Sequence, residues 1–482
     1  MVRVVSLAIF LMCCSICSHG QLWIDKQFTY DSVLNITYGT AIDFNGDTDT
    51  LLMDVFIPKC TTAGTSATYK PLLLWIHGGA FLAGDKNDPS IQNHCKQFAK
   101  RGYVTATISY RLGFCSDDAL WQCNYPNYSC VFASDSAEWV RSYYRAVQDA
   151  KGALRYLVNR FEQYGIDTSN IFVAGESAGA FTALGVALLD TASERPPHTY
   201  ALPNAPKPHI GTATCTYNLN KTFSNSGIAR PDLGDIEGTI EPTTINYTIR
   251  GIGNMYGAML GDLLKHKPAN KVKPAIYSFH QPCDIVVPID SNYIYWGLTW
   301  CFTNGYNCYG IANTNIMLYG GRTFSQWNAN NNYGYTIQNK FTNVNFPYNY
   351  LIGAGSCVDQ VNTPCHAYDN PQQRESELAL FFKDYISSNP PCLNTGIGAQ
   401  IQTSDSKLNE IYITSNTAGG FSLHNKQDAE YTLTLFDAYG HVLYKSADFE
   451  RSSNLAHIQT GGGICFARIS NRQNQHLVQK VR

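Results

Sequence analysis

This chain has little charge. Charged residues make up 15% of its 482 positions and the net charge is −2, against about 25% charged in an average soluble chain. No basic block or stripe occurs, which argues against a nucleic-acid partner. Beyond residue 20 no apolar run approaches the roughly 20 residues that a spanning helix needs, so no transmembrane segment is expected. The cysteines beyond that point show no paired C-x-x-C spacing, so no metal site is expected either. With so few charges, the solvent face must be built from Asn, Thr, Ser, Gln, Gly and Tyr, a composition common in secreted proteins.

Apolar residues reach 44%, enough for a large core. Residues 1–20 read as a signal peptide. Arg3 supplies the positive start, Val4 to Cys17 is almost wholly apolar, and Ser18-His19-Gly20 offers small residues for cleavage near Gln21. A short membrane anchor is the rival reading, and the run is too short for it. Three of the 16 cysteines lie in this leader. The rest read as disulfides of an oxidising compartment, with at least one thiol left over. Cys301 with Cys308, and Cys115 with Cys123 or Cys130, are the expected short-range pairs.

From Leu51 to about Ile386 the pattern alternates between strands and helices, which implies an α/β fold with a mostly parallel sheet covered on both faces. Strands are expected at Leu51–Pro58, Leu72–Ile76, Tyr103–Tyr110, Ile171–Ala174, Ala275–Phe279 and Tyr348–Ile352. Val147, Ala150, Leu154, Leu157, Val158 and Phe161 recur at helical spacing, and Ala178–Leu189 reads as a second helix. Polar insertions interrupt the pattern at about 115–136 and 193–242. The second, rich in proline, reads equally as a lid or as a surface excursion. The expected layout is a catalytic domain over 21–390, a linker over 391–408 and a small all-β sandwich over 409–482.

The chemistry centres on Gly175-Glu176-Ser177-Ala178-Gly179, set directly after an apolar strand. A strand ending in G-x-S-x-G and running into a helix is a nucleophile elbow, which lifts a serine Oγ out of the sheet. Ser177 is the expected nucleophile. Asp284, beyond the strand ending at Phe279, is the expected orienting acid, with Asp290 as its competitor. His366 is the expected base, with His280 as its competitor and read as structural. Glu176 is read as the variable position of the motif. The order Ser, Asp, His fits a hydrolase arrangement. His77-Gly78-Gly79-Ala80-Phe81 follows the Leu72–Ile76 strand and reads as an oxyanion loop, with the amides of Gly79, Ala80 and Ala178 as donors. His77 and Gly78 are expected to support that loop.

Cys283 precedes the acid and Cys365 precedes the base. If acid and base hydrogen-bond, their backbones approach, and bridgeable cysteines have Cα atoms about 4.4–6.8 Å apart. A Cys283–Cys365 disulfide is therefore expected, the alternative being pairs such as Cys357 with Cys365 or Cys392. The aromatic stretch Tyr293–Trp300 reads as one packed helix face, or alternatively as a stacking platform for a sugar or phenolic group.

Taken together, His77-Gly78-Gly79-Ala80-Phe81, Tyr110-Arg111-Leu112-Gly113, the Gly175–Gly179 elbow and Asp284-x-x-Val287-Pro288 resemble the carboxylesterase/lipase group of α/β-hydrolases. The resemblance spans roughly Leu51 to Ile386. It implies hydrolysis of small or polymer-linked esters through an acyl-enzyme, with no cofactor. Two departures stand out: Ala80 where many members have Gly, and Cys365 before the base where Gly is frequent. The segment from about Asn409, with Phe436-Asp437-Ala438-Tyr439-Gly440, Gly463-Ile464-Cys465-Phe466 and a basic end, resembles the sorting domain of type IX secretion in Bacteroidetes. That resemblance implies a secretion machinery as partner, and a secreted or cell-surface location. The expectation is a secreted serine carboxylesterase acting on acetyl or feruloyl esters of plant polysaccharides. The alternatives are a non-catalytic surface adhesion protein, and a lipase or peptidase on the same fold.

Overall fold

A strand covered on both faces must be apolar at every position, whereas one with a wet face alternates. Leu72 to Ile76 is the first kind, and it lies at the middle of the sheet. The computed structural model describes residues 22–44, 46–59, 69–81, 83–113, 136–204, 229–265, 271–284, 286–294, 316–342 and 365–387, with the backbone of short strands between 411 and 481. The chain divides into two units, 1–396 and 397–482.

In the first unit the strands are β1 (Thr29–Ile42), β2 (Thr48–Lys59), β3 (Lys70–Ile76), β4 (Val104–Ile108), β5 (Ile166–Glu176), β6 (Ile249–Met255), β7 (Ala258–Met259), β8 (Ala275–His280), β9 (Ser291–Tyr293), β10 (Met317–Gly320) and β11 (Ile337–Phe341). The main sheet runs β1-β2-β4-β3-β5-β6-β8-β11. Pairing is antiparallel from β1 through β2 to β4, and parallel from β4 onward to β11. This is the mostly parallel α/β-hydrolase sheet expected from the sequence.

Successive residues of β3 face opposite cores. Leu72, Leu74 and Ile76 join the core beneath α2 (Ser136–Asn159) and α3 (Ala178–Leu188). Leu73 and Trp75 join the core beneath α1 (Pro89–Ala99) and α5 (Pro371–Lys383). A fourth helix, α4 (Gly321–Asn330), precedes β11. The Tyr110-Arg111 segment is tied to α2 by Arg111, whose Nη2 and Nε donate to Asp149 Oδ1 at 2.7 and 3.0 Å.

Strands β1, β6, β7, β9, β10 and β11 and helices α1, α4 and α5 lie outside the sequence expectation, and helix α2 is longer than expected; three of these show why. Strand β6 is missing from that expectation because glycine interrupts the apolar run. A Cβ at Gly251 would lie 2.8 Å from Phe172 Cδ1, and one at Gly253 would lie 2.8 Å from Ala174 Cβ, so only glycine lets β6 lie against its neighbours. Strand β1 was not expected either, because most of its side chains face solvent. Helix α2 begins at Ser136, eleven residues before the first apolar position of the periodic run. Its extra turns carry Arg141 and Arg145, which are buried all the same, as is Gln148 just beyond them.

The flanks of the second insertion explain that burial. Segments 193–204 and 229–242 pack on α2. Arg141 donates to the carbonyls of His198, Tyr200 and Pro231 at 3.1, 3.1 and 2.5 Å. Gln148 Nε2 donates to the carbonyls of Leu233 and Asp235 at 2.8 and 2.7 Å. Lys151 and Arg155 pair with Glu237 at 2.5 and 3.1 Å. These flanks therefore sheathe a helix; the stretch between them lies outside the described residues. So do the leader, the first insertion, the expected strand at Tyr348–Ile352, most of the Tyr293–Trp300 stretch, and the cysteines proposed for short-range pairing.

The second unit holds two antiparallel sheets. One orders as β12 (Ile411–Ser415), β13 (Phe421–Asn425), β16 (Ser452–Asn454). The other orders as β15 (Val442–Lys445), β14 (Tyr431–Asp437), β17 (Cys465–Asn471), β18 (His476–Val481).

Candidate active site

Strand β5 ends at Glu176 and α3 starts at Ala178, so Ser177 is the whole of the connection. Its φ of 51° lies in the left-handed region, uncommon for a residue with a side chain. The flanking glycines make that turn fit. A Cβ at Gly175 would sit 2.3 Å from the Gly179 carbonyl group, and one at Gly179 would sit 2.1 Å from the Ile76 oxygen. The elbow is pinned from the next strand by the Ser177 amide, which donates to Met255 O at 3.0 Å.

The three side chains chosen from sequence meet here. Ser177 Oγ lies 2.9 Å from His366 Nε2, and His366 Nδ1 lies 2.8 Å from Asp284 Oδ2. With a carboxylate at Nδ1, the hydrogen belongs on that nitrogen and the Ser177 hydroxyl donates to Nε2. Asp284 sits in a tight turn beyond β8. Its Oδ1 accepts the amides of Val286 and Val287 at 2.9 and 3.0 Å. Burial pushes the Asp284 carboxyl up, but the His366 imidazole and the His280 hydrogen bond outweigh it and bring it down to about 2.

A disulfide joins Cys283 to Cys365, with Cα atoms 5.6 Å apart. It links the residues just before acid and base. A second tie crosses the same gap, from Gln281 Nε2 to Ala367 O at 2.8 Å. Asp290 does not compete for the acid's place: it pairs with Arg322 at 2.9 Å, half exposed. Cys95 is a free thiol, buried on α1.

The loop after β3 turns sharply. Gly79, Ala80 and Phe81 all have positive φ, at 103°, 54° and 60°. A Cβ at Gly79 would lie 2.1 Å from Ala83 O, and one at Gly78 would lie 3.2 Å from Ser177 Cβ. The loop thus lies against the nucleophile. Among the described residues none accepts from the amides of Gly79, Ala80 or Ala178.

His77 is part of the loop's frame. It is fully buried, its ring stacks on Tyr110 at 4.3 Å, and its Nδ1 donates to Gly78 O at 2.7 Å. Burial takes it down to about 4. The Tyr110 hydroxyl donates to the carbonyls of His77 and Gly78 at 3.1 and 3.3 Å, which gives the Tyr-Arg-Leu-Gly motif its first role.

An apolar pocket opens beside Ser177, walled by Phe81, Trp139, Phe181, Leu260, Val287 and Leu318. Such walls suit the hydrocarbon part of a substrate. Among the described residues no group of three His, Cys, Asp or Glu side chains could hold a metal ion, and no helix is long and apolar enough to cross a membrane.

Two residues do more than the sequence suggested. Glu176, read as the free position of the motif, is held: Ser90 Oγ donates to it at 3.4 Å, and the hydroxyls of Tyr256 and Tyr368 lie beside it. Burial pushes its carboxyl up. The Tyr256 ring in turn meets the His366 ring edge-on at 5.1 Å. Tyr256 carried no sequence signal, because it stands alone after β6. His280, read as structural, touches the acid directly, and its four-residue spacing from Asp284 was the available clue.

The BD-FAE family profile matches residues 53–124 and 126–220. Gut esterase 1 of Caenorhabditis elegans is 29% identical over 132 residues, 27% of this chain and 20% of that protein. Fumonisin B1 esterase of Sphingopyxis macrogoltabida is 30% identical over 149 residues, 30% of this chain and 24% of that protein. The chain thus spans a quarter or less of these relatives' length. A solved truncated form of a carbohydrate esterase from gut microbiota is 14% identical with a TM-score of 0.35, over 74% of this chain and 97% of that one; so loose a likeness adds nothing further. The matched segment carries the oxyanion loop and the elbow, and the sheet order described above is that of an α/β-hydrolase fold.

Proposed function

We propose that this protein hydrolyses carboxylic esters through an acyl-enzyme on Ser177. The observation that carries the reading is the continuous relay from Ser177 Oγ through His366 to Asp284, with contacts of 2.9 and 2.8 Å. His366 Nε2 takes the hydroxyl proton as Oγ attacks the ester carbonyl carbon. The oxygen that gains charge is met by the amides of Gly79, Ala80 and Ala178. The tetrahedral species expels the alcohol, which leaves with the proton from His366. Water then attacks the acyl-enzyme, again giving a proton to His366, and the carboxylic acid departs as Ser177 regains its hydrogen. Asp284 holds the imidazole in the useful tautomer throughout.

The test compares p-nitrophenyl acetate hydrolysis by the protein and by Ser177→Ala. A loss of about a thousandfold or more is expected in the variant. Equal, negligible rates in both would favour the rival reading of a surface binding protein.

Two finer readings go with this one. The substrate is proposed to be an acetyl or phenolic ester of a plant polysaccharide, supported by the expected export. Turnover of methyl ferulate or acetylated xylan above a triglyceride would bear on it directly. The protein is also proposed to be secreted, with residues 1–20 removed and the C-terminal unit acting as an outer-membrane sorting domain. The apolar leader and the disulfide support this, and N- and C-terminal sequencing of protein from culture medium would test it.

A further inference from the structure

The turn that presents Asp284 is hung from a second histidine. His280 is the last residue of β8 and is fully buried. Its Nε2 lies 2.9 Å from Val287 O and 3.2 Å from Asp284 Oδ2. Both neighbours are oxygens that only accept, so Nε2 carries the hydrogen and shares it between them. Its Nδ1 is buried with no partner among the described residues. The contacts close a ring. Val287 accepts from His280 through its carbonyl and donates to Asp284 Oδ1 through its amide, while Asp284 Oδ2 accepts from His280. The same Oδ2 accepts from His366 at 2.8 Å.

We propose that His280 is a positioning residue that shares the Asp284 oxygen with the base, and so weakens the hold of Asp284 on the His366 imidazolium. The inference rests on the assignment of Ser177, His366 and Asp284 made above. A carboxylate oxygen that already accepts one hydrogen bond is a poorer acceptor for the next, and the positive end of an N–H dipole nearby disfavours a cation. His280 therefore keeps His366 less basic than Asp284 alone would make it, so that it is free to accept the Ser177 proton at lower pH. The groups facing His366 are Asp284 from the turn after β8, Ser177 from the elbow and the Tyr256 ring from beyond β6, with Glu176 behind that ring.

The variants are His280→Leu, which removes the donor, and His280→Gln, whose amide nitrogen reaches the same place. The readout is the acid limb of kcat/KM against pH for p-nitrophenyl acetate. In His280→Leu its midpoint rises by about half a pH unit or more, with KM unchanged within about twofold, and His280→Gln restores it. A limb that stays in place in folded His280→Leu overturns the proposal, because a merely structural residue would change rate or stability alone. The midpoint of the His366 ring resonances by NMR, which needs no turnover, shifts the same way. Failure of ester hydrolysis therefore leaves this test intact. If His280→Leu does not fold, the 15N imidazole spectrum of the wild type decides: a hydrogen on Nδ1 of His280 overturns the proposal, and one held on Nε2 from pH 5 to 9 supports it.

Discussion

Ser177 holds a backbone conformation that side chains avoid, and it keeps it because every atom around the turn is already placed. That makes the flanking glycines as sensitive as the serine. In Gly179→Ala the new methyl would meet the backbone oxygens of Ile76 and His77 at 2.1 and 2.5 Å, and neither strand end can retreat. A loss of about 3 kcal/mol or more is expected in urea unfolding, with activity lost alongside. Asp284→Asn leaves the shape intact but offers His366 the wrong partner. A fall in kcat of about a thousandfold or more is expected, by analogy with other triads, with a loss of about 1–3 kcal/mol in stability, because an amide nitrogen would face the N–H donors of His366 and His280. Most of this was legible in the sequence, because a nucleophile elbow has to be written in consecutive residues. Tyr256 and the role of His280 were not, because they act across turns whose shape no short pattern encodes.

At the scale of elements, the site is a meeting of strand ends. Strands β3, β5 and β8 each deliver one part: the oxyanion loop, the nucleophile and the acid. The base arrives on a loop that precedes α5, tied down by Cys283–Cys365. That bond closes a span of 82 residues, for which chain-entropy reasoning gives about 4 kcal/mol. Replacing both cysteines by serine should lower stability by up to that amount and lower kcat more than KM rises, read by denaturant unfolding and steady-state kinetics. The loop after β3 has its own signature in pH. Burial holds His77 at about 4 against 6.5 in the open chain. Between those values the unfolded chain binds a proton there that the folded chain does not, so stability rises with pH across that window, by about 3 kcal/mol in all. His77→Asn, which retains a donor toward Gly78, should flatten that part of the stability profile; an unchanged slope would mean that other groups set it. The strands β3, β4, β5 and β8 could be read from their apolar runs. Strand β6 could not, because the tight fit against Phe172 and Ala174 demanded glycines that read as breaks.

For the whole molecule, every residue of the proposed chemistry lies between His77 and His366, within the first of the two units. A chain ended at residue 396 should hydrolyse p-nitrophenyl acetate with kcat/KM within about twofold of the full chain; a larger loss would mean that the C-terminal strands support the site. In the sequence, strand and helix periods change along the chain near Pro390-Pro391. The sheath over α2 was not legible there, since nothing in a proline-rich stretch says which surface it will cover. That sheath has a chemical character unlike the site it neighbours. Arg141 and Gln148 hold it by peptide oxygens, and a peptide oxygen has no proton to gain in any ordinary buffer. Acidification therefore loosens the wrapping unevenly: it can protonate the Glu237 carboxylate that Lys151 and Arg155 grip, while the fastenings to peptide oxygens stay closed.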